Sequence, residues 1–374
     1  MIIKQIPEDF KVEEIIVLPK TEGGDYAYFW LTKKNYTTVR AIQAIARALS
    51  VSFARFHFAG TKDANAVTKQ LVSGFQINSE RLADLKLKDI ELKFIGRFPE
   101  RLALGDLQGN KFEIVLRDLT KKNLNNIKKR YLTLNKKGFT NYFGGQRFGG
   151  GSTALIGREI VRGYFKDAVF YLLTYSEKEN AKAGKFRKFA KKNFGQWDKL
   201  LKACPKFLGI ETTILWNLAK IPNDFAGALR KVPKPTRRMY VHAYQSYLWN
   251  SAVAAVNGKL KKSYPVSGYE TKLGRDVFSK KVKELLAADN LTLDSFRCSR
   301  MPELASEGTT RQALVKVKDF EISAPERDEL NNAKQSFADF ASQSKGRQKV
   351  ILKFELQKGS YATELITNLT GKTI

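Results

Sequence analysis

Apolar and polar positions alternate along Pro7-Glu8-Asp9-Phe10-Lys11-Val12-Glu13-Glu14-Ile15 and run on into Ile16-Val17-Leu18, the period of an extended strand. Pro7 opens the stretch where no amide donor is needed. After a turn at Gly23-Gly24-Asp25, residues 26–31 predict a second strand. The period then lengthens: Val39, Ile42, Ile45, Ala46 and Leu49 recur at helical spacing behind Thr37 or Thr38, either of which can cap the helix. An apolar run ending at Phe58-Ala59-Gly60 resumes, after Thr61-Lys62-Asp63, as the β-branched Val67-Thr68-Lys69-Gln70-Leu71-Val72. That pattern predicts strand, exposed turn, strand.

Lys111-Phe112-Glu113-Ile114-Val115-Leu116-Arg117 alternates as a half-buried strand and leads into a helix carrying Leu124, Ile127 and Tyr131. Strands on both sides of a helix, in mixed order, favour an α+β arrangement over a strict βαβ repeat. Residues 152–258 read as helical, including a very basic segment 182–202 with Phe186, Phe189, Trp197 and Leu200 as its apolar stripe, and Tyr244-Gln245-Ser246-Tyr247-Leu248-Trp249-Asn250. Residues 264–325 have lower periodicity, with short strands and glycines, and read as an inserted lobe. Val350-Ile351-Leu352-Lys353-Phe354-Glu355-Leu356 is a last strand, turned at Gly359-Ser360 into a helix-like tail.

A length of 374 residues implies about two domains. With 66 Lys and Arg against 37 Asp and Glu, the formal charge of +29 points to a polyanionic partner, nucleic acid ahead of an anionic membrane. Cys204 and Cys298 are far apart and His57 and His242 isolated, so neither a disulfide framework nor a zinc site is expected. The N-terminus lacks a signal-type apolar region and no apolar run is long enough to span a membrane, so the expected compartment is the cytoplasm.

Two stretches carry candidate chemistry. In the turn, Asp63 is a short carboxylate on rigid supports and open to solvent, where a nucleophile or general base belongs; Asp63 and Asn65 are also ordinary turn formers. In Asn141-Tyr142-Phe143-Gly144-Gly145-Gln146-Arg147-Phe148-Gly149-Gly150-Gly151, glycines allow close backbone approach, aromatics can stack on bases and Arg147 can pair with phosphate.

Five separated pieces, in one order, resemble the TruD family of tRNA pseudouridine synthases. They are Pro7-Glu8-Asp9-Phe10; Gly60-Thr61-Lys62-Asp63 with Ala66-Val67-Thr68 and Gln70; Leu104-Gly105 with Leu107, Gly109, Asn110 and Phe112; Asn141-Tyr142-Phe143-Gly144 with Gln146-Arg147-Phe148-Gly149; and Gly359-Ser360-Tyr361-Ala362-Thr363. The chain departs from the family at Ala64, where a basic residue is usual, and at Thr140, where proline is preferred. It also lacks the usual Arg-Glu pair after the last piece.

The resemblance implies an α+β fold: a pseudouridine-synthase catalytic domain with a mixed, mainly antiparallel sheet and flanking helices, plus an inserted α/β TRUD domain. The catalytic domain would be discontinuous, residues 1–150 and 345–374, around an insertion at 151–344, with the helical run 152–258 able to pack on either lobe. The implied activity is isomerisation of uridine to pseudouridine in tRNA, usually at position 13, by a monomer needing no cofactor, metal or membrane. Asp63 takes the catalytic place, either attacking the anomeric carbon or removing a ribose proton. Phe143 stacks the base, Asn141 bonds uracil or nearby backbone, Tyr361 closes the pocket, and Lys4 orients Asp63. Lys62, Phe10, Gln146 and Arg147 complete the expected substrate-binding set. Two other readings compete: a non-catalytic RNA-binding or RNA-folding protein on the same scaffold, and a metal-dependent nuclease, which needs clustered carboxylates.

Overall fold

A computed structural model of the chain describes residues 1–149, 151–175, 180–258, 260–332 and 346–372. The chain divides into two compact units, one built from both ends (Met1–Phe139 with Val315–Ile374) and one from Thr140–Leu314. Among the described residues no helix is long and apolar enough to cross a membrane.

The first unit is organised on a nine-stranded sheet: β1 (Phe10–Ile15), β2 (Tyr26–Lys34), β3 (Phe56–Phe58), β4 (Val67–Phe75), β5 (Ile90–Phe98), β6 (Gly109–Leu119), β7 (Lys318–Ile322), β8 (Glu326–Arg327) and β9 (Gln348–Gln357). The main path runs β7-β9-β6-β1-β4-β2-β5, with β8 on β9 and β3 on β4. Among the described residues only the β1–β4 pairing of this sheet is parallel, so the sheet is mixed and mainly antiparallel, as expected of the α+β class. Two helices, Lys121–Lys137 and Ala362–Thr370, bury Ile127, Leu134, Leu365, Ile366 and Leu369 against Phe112, Ile114, Leu352 and Phe354. Helix α1 (Thr38–Leu49) buries Ile42 and Ile45 with Phe29, Leu31 and Val72. Each such side chain contributes about 1.5–3 kcal/mol relative to exposure.

Several sequence expectations shift. Pro7–Asp9 is a 3-10 turn rather than the start of a strand, because Asp9 Oδ2 accepts the Ile6 amide and folds the chain back. Thr37 caps α1 through Arg40 N, which frees Thr38 for the interior; Val39 is exposed, not part of the buried face. Periodicity does not single out β5, whose alternation breaks where its register with β2 shifts between Tyr28 and Phe29. Helix Val277–Ala288 likewise lies within the stretch read as short strands.

The second unit is mainly helical, around the long helix Lys234–Ala254, with a two-stranded ribbon of Ser263–Val266 and Thr309–Gln312. Helix Ser152–Arg162 crosses the long helix at Gly157, where a Cβ would stand 1.9 Å from the Tyr240 carbonyl oxygen. Only glycine permits that approach.

Candidate active site

Asp63 lies on the loop that joins β3 to β4, and the loop is wider than a hairpin turn. β3 pairs with the far end of β4 (Phe56 opposite Gly74, Phe58 opposite Val72), while β1 pairs alongside its start (Lys11 opposite Val67). The loop therefore rises where two strands share one edge of β4. Its backbone is pinned from below. Gln70 Nε2 donates to Gly60 O at 2.9 Å, Thr38 Oγ1 donates to Gln70 Oε1 at 2.7 Å, and Lys62 N donates to Thr38 Oγ1 at 2.9 Å.

Two buried charged side chains support the loop, and strand alternation explains their burial. In β1 the pattern that buries Phe10 and Val12 places Glu14 on the same face. Glu14 Oε1 accepts from Lys62 Nζ at 2.6 Å, and Oε2 accepts from Leu71 N at 3.1 Å. Lys62 thus turns its ammonium inward to a carboxylate rather than out to solvent. In β2 the pattern that buries Ala27, Phe29 and Leu31 carries Lys33 onto the α1 face, where it is 1% exposed. Its Nζ donates to the main-chain oxygens of Asp63, at 2.9 Å, and Tyr36, at 2.5 Å.

Above the loop, Lys4 Nζ donates to Asp63 Oδ2 at 2.5 Å and stands 4.0 Å from the centroid of the Phe10 ring. The Asp63 side chain is 40% exposed and that of Lys4 18%. Lys4 has φ of 53°, a left-handed conformation unfavourable for a side-chain-bearing residue, and Asn65 Nδ2 holds its carbonyl at 3.2 Å. The structure thus brings Lys4, Phe10, Lys62 and Asp63 together. Phe10 is buried and serves as an apolar floor for the Lys4 ammonium. Tyr361 stands in the same unit, half-buried, at the N-cap of helix Ala362–Thr370.

Burial lowers the Lys33 ammonium from 10.5 to about 8, against the raising influence of Asp63. Between about 8 and 10.5 the unfolded chain holds a proton here that the folded chain has lost. The contribution of Lys33 to stability therefore rises with pH across that window and is constant below it. Urea unfolding of wild type and Lys33→Met at both ends of the window should show the wild type gaining relative to the variant as pH rises; a difference that does not change with pH would refute this.

Asn141, Phe143, Gln146 and Arg147 belong to the second unit. Arg311 clamps their loop: Nε donates to Asn141 O at 2.9 Å, Nη2 to Asn141 Oδ1 at 3.0 Å and to Tyr142 O at 3.2 Å. Asn141 Nδ2 in turn donates to Gln312 O at 3.1 Å. Phe143 is 9% exposed, with the Arg311 guanidinium 3.9 Å above its ring and Trp249 edge-on. Asn250 bonds both the Phe143 amide and its carbonyl. Arg147 is half-buried, its Nε without a hydrogen-bond partner among the described residues; the Gln146 side chain falls outside them. Among the described residues no cluster of three or more His, Cys, Asp and Glu could hold a metal ion.

Sequence reasoning missed Glu14, Lys33, Gln70 and Arg311 as supports of these loops. The period-2 patterns of β1 and β2 would have found the first two, because each charge falls in line with a buried apolar face.

The family model for tRNA pseudouridine synthase D (TruD) matches residues 1–257 and 254–369. A probable tRNA pseudouridine synthase D of Methanosarcina barkeri is 32% identical over 97% of this chain and 92% of its own. The tRNA pseudouridine synthase D of Aquifex aeolicus is 35% identical over 66% of this chain and 64% of its own. A crystal structure named for tRNA pseudouridine synthase D of Methanosarcina mazei superposes with a TM-score of 0.79 at 28% identity, over 99% of this chain and 93% of that one. Matches of this extent, on an α+β sheet, define an enzyme of the pseudouridine synthase class, an isomerase acting on RNA. The chain belongs to the tRNA pseudouridine synthase D family, as its ordered motifs led us to expect.

Proposed function

We propose that this chain isomerises uridine 13 of tRNA to pseudouridine, with Asp63 as the reacting carboxylate. The observation that carries the reading is the Asp63 geometry: an accessible carboxylate on a loop pinned by Thr38, Gln70 and Lys33, with one oxygen bonded to Lys4. Cleavage of the bond between uracil N1 and ribose C1′ needs such a group, either to attack C1′ or to remove a ribose proton. The freed base turns and rejoins through C5, whose proton is released as N1 gains one, so the reaction is a net isomerisation. A base rotated in this way has to leave its stack first.

In this reading the unit built from both chain ends is the catalytic domain and Thr140–Leu314 is the insertion. Lys4 holds the Asp63 carboxylate in place through Oδ2. By the family resemblance Arg147 is assigned to phosphate binding and the loop at Asn141 and Phe143 to the flipped uridine. The formal charge of +29 makes tRNA binding steeply salt-dependent.

The test is pseudouridine mapping on a tRNA transcript incubated with the purified protein in chelator, beside a transcript with cytidine at position 13. Pseudouridine at position 13 of the first alone is the expected result. Formation at another uridine would overturn the position but leave the activity. No pseudouridine in any tRNA, despite binding, would overturn the catalytic reading in favour of an RNA-binding scaffold.

A further inference from the structure

Helix Lys234–Ala254 carries an aromatic surface that neither Asp63 nor Phe143 uses. Within the unit Thr140–Leu314, a cavity of about 430 Å³ opens beside this helix, walled by Phe148, Tyr175, Tyr244 and Tyr247. Its volume falls in the range of roughly 300–1,000 Å³ usual for small-ligand sites. The Tyr244 and Tyr247 rings are nearly parallel, 18° apart with centroids at 6.4 Å. Tyr244 is buried and Tyr247 is 43% exposed, so one ring is fixed by packing and the other offers a face.

Four polar side chains around the cavity, those of Tyr244, Arg158, Asp289 and Asn250, already have partners. Tyr244 OH donates to Asp289 Oδ2 at 2.7 Å, and Arg158 Nη1 donates to Asp289 Oδ1 at 3.2 Å while its Nε bonds Glu159. Asn250 spends both ends of its amide on the Phe143 backbone. A phosphate would find the Arg158 charge already neutralised by two carboxylates, and a ligand's hydrogen-bonding edge would compete with bonds already made. What the cavity offers is stacking area. A flat ring suits it, and in a chain of +29 from a family of RNA isomerases the abundant flat ring is a nucleobase.

We infer that this cavity is a second base subsite, which stacks an unpaired nucleobase of the bound RNA, other than the reacting uridine, on the exposed face of Tyr247. The inference rests on the reading of the chain as an RNA isomerase. Because recognition is by face, the subsite accepts any base and favours purines for their area. Asn250, one helical turn beyond Tyr247, couples the occupied cavity to the loop that carries Phe143.

The experiment compares wild type, Tyr247→Phe and Tyr247→Ala, full-length, in binding to a tRNA transcript by fluorescence anisotropy and in single-turnover pseudouridine formation. Loss of a stacked base predicts about ten-fold weaker binding for the alanine variant, with the phenylalanine variant near wild type and the salt dependence of both unchanged. Unchanged affinity of Tyr247→Ala overturns the inference, and so does equal loss in Tyr247→Phe, which would assign the effect to the hydroxyl. AMP serves as a separate probe: tight, Tyr247-dependent binding of AMP that tRNA does not displace would identify a free-nucleotide site and overturn the RNA assignment. If wild type makes pseudouridine and Tyr247→Ala binds and reacts normally, this subsite fails alone. If the ring dependence of binding holds while wild type makes no pseudouridine, the catalytic reading fails and the subsite stands.

Discussion

Asp63→Asn should abolish pseudouridine formation, with a loss of at least about 10⁴-fold in the single-turnover rate, while tRNA affinity is held. Asparagine keeps the shape of the side chain and removes the charge that, in the proposed mechanism, either attacks C1′ or takes a ribose proton. The loop should survive the change, because what fixes it is backbone: Lys33 holds the Asp63 carbonyl, Gln70 holds that of Gly60, and Thr38 accepts the Lys62 amide. The Lys4 ammonium loses a partner but keeps some solvent and the Phe10 ring. A rate within about ten-fold of wild type would remove Asp63 from the chemistry, since a reacting group cannot be deleted so cheaply. Loss of tRNA binding together with activity would mean that the loop had collapsed, and circular dichroism would identify that case.

Arg117→Leu should cost about 3–5 kcal/mol in folding stability, read as a lower urea midpoint for the unit that contains it. Arg117 is 4% exposed on β6 and gathers carboxylates from distant parts of the chain. Its Nε bonds both oxygens of Asp9 at 2.9 Å, and Nη1 bonds Asp328 at 3.0 Å and Glu329 at 3.2 Å. Leucine leaves Asp9 and Asp328 buried without the cation between them. Burial alone would push the Asp328 carboxyl up; bonds from the Asp118 amide, Asn331 and Arg117, with the guanidinium charge, bring it below 3.8. Without Arg117 part of that lowering is lost, and the Asp328 carboxyl of the folded variant binds a proton more readily than that of the folded wild type. The gap between variant and wild type should therefore narrow as pH falls through the ordinary carboxylate range. A loss under about 1 kcal/mol, or a gap that widens on acidification, would contradict this account.

Much of the site was legible because its signals are local. A turn between an apolar run and a β-branched one announces an exposed carboxylate at Asp63, and a glycine-rich aromatic loop announces Phe143. Lys4 was reached only through the family pattern, since an isolated lysine near a chain start has no periodicity to betray it. Lys62 shows the limit of a motif: its place in the signature is plain, yet its ammonium belongs to Glu14 inside the unit. The β3–β4 connection shows another. Both strands are readable, but their offset pairing, which widens the loop, depends on β1 taking the start of the same β4 edge.

By itself the sequence determined the α+β class and the family and singled out Asp63 as the candidate carboxylate, because each rests on residue type, order and short-range period. Tertiary structure decided which charges lie beneath that carboxylate. Alternation along a strand says that Glu14 and Lys33 face the same way as their apolar neighbours. Only the closed sheet and α1 make that face an interior, where a charge has to find Lys62 or the carbonyls of Asp63 and Tyr36 to remain.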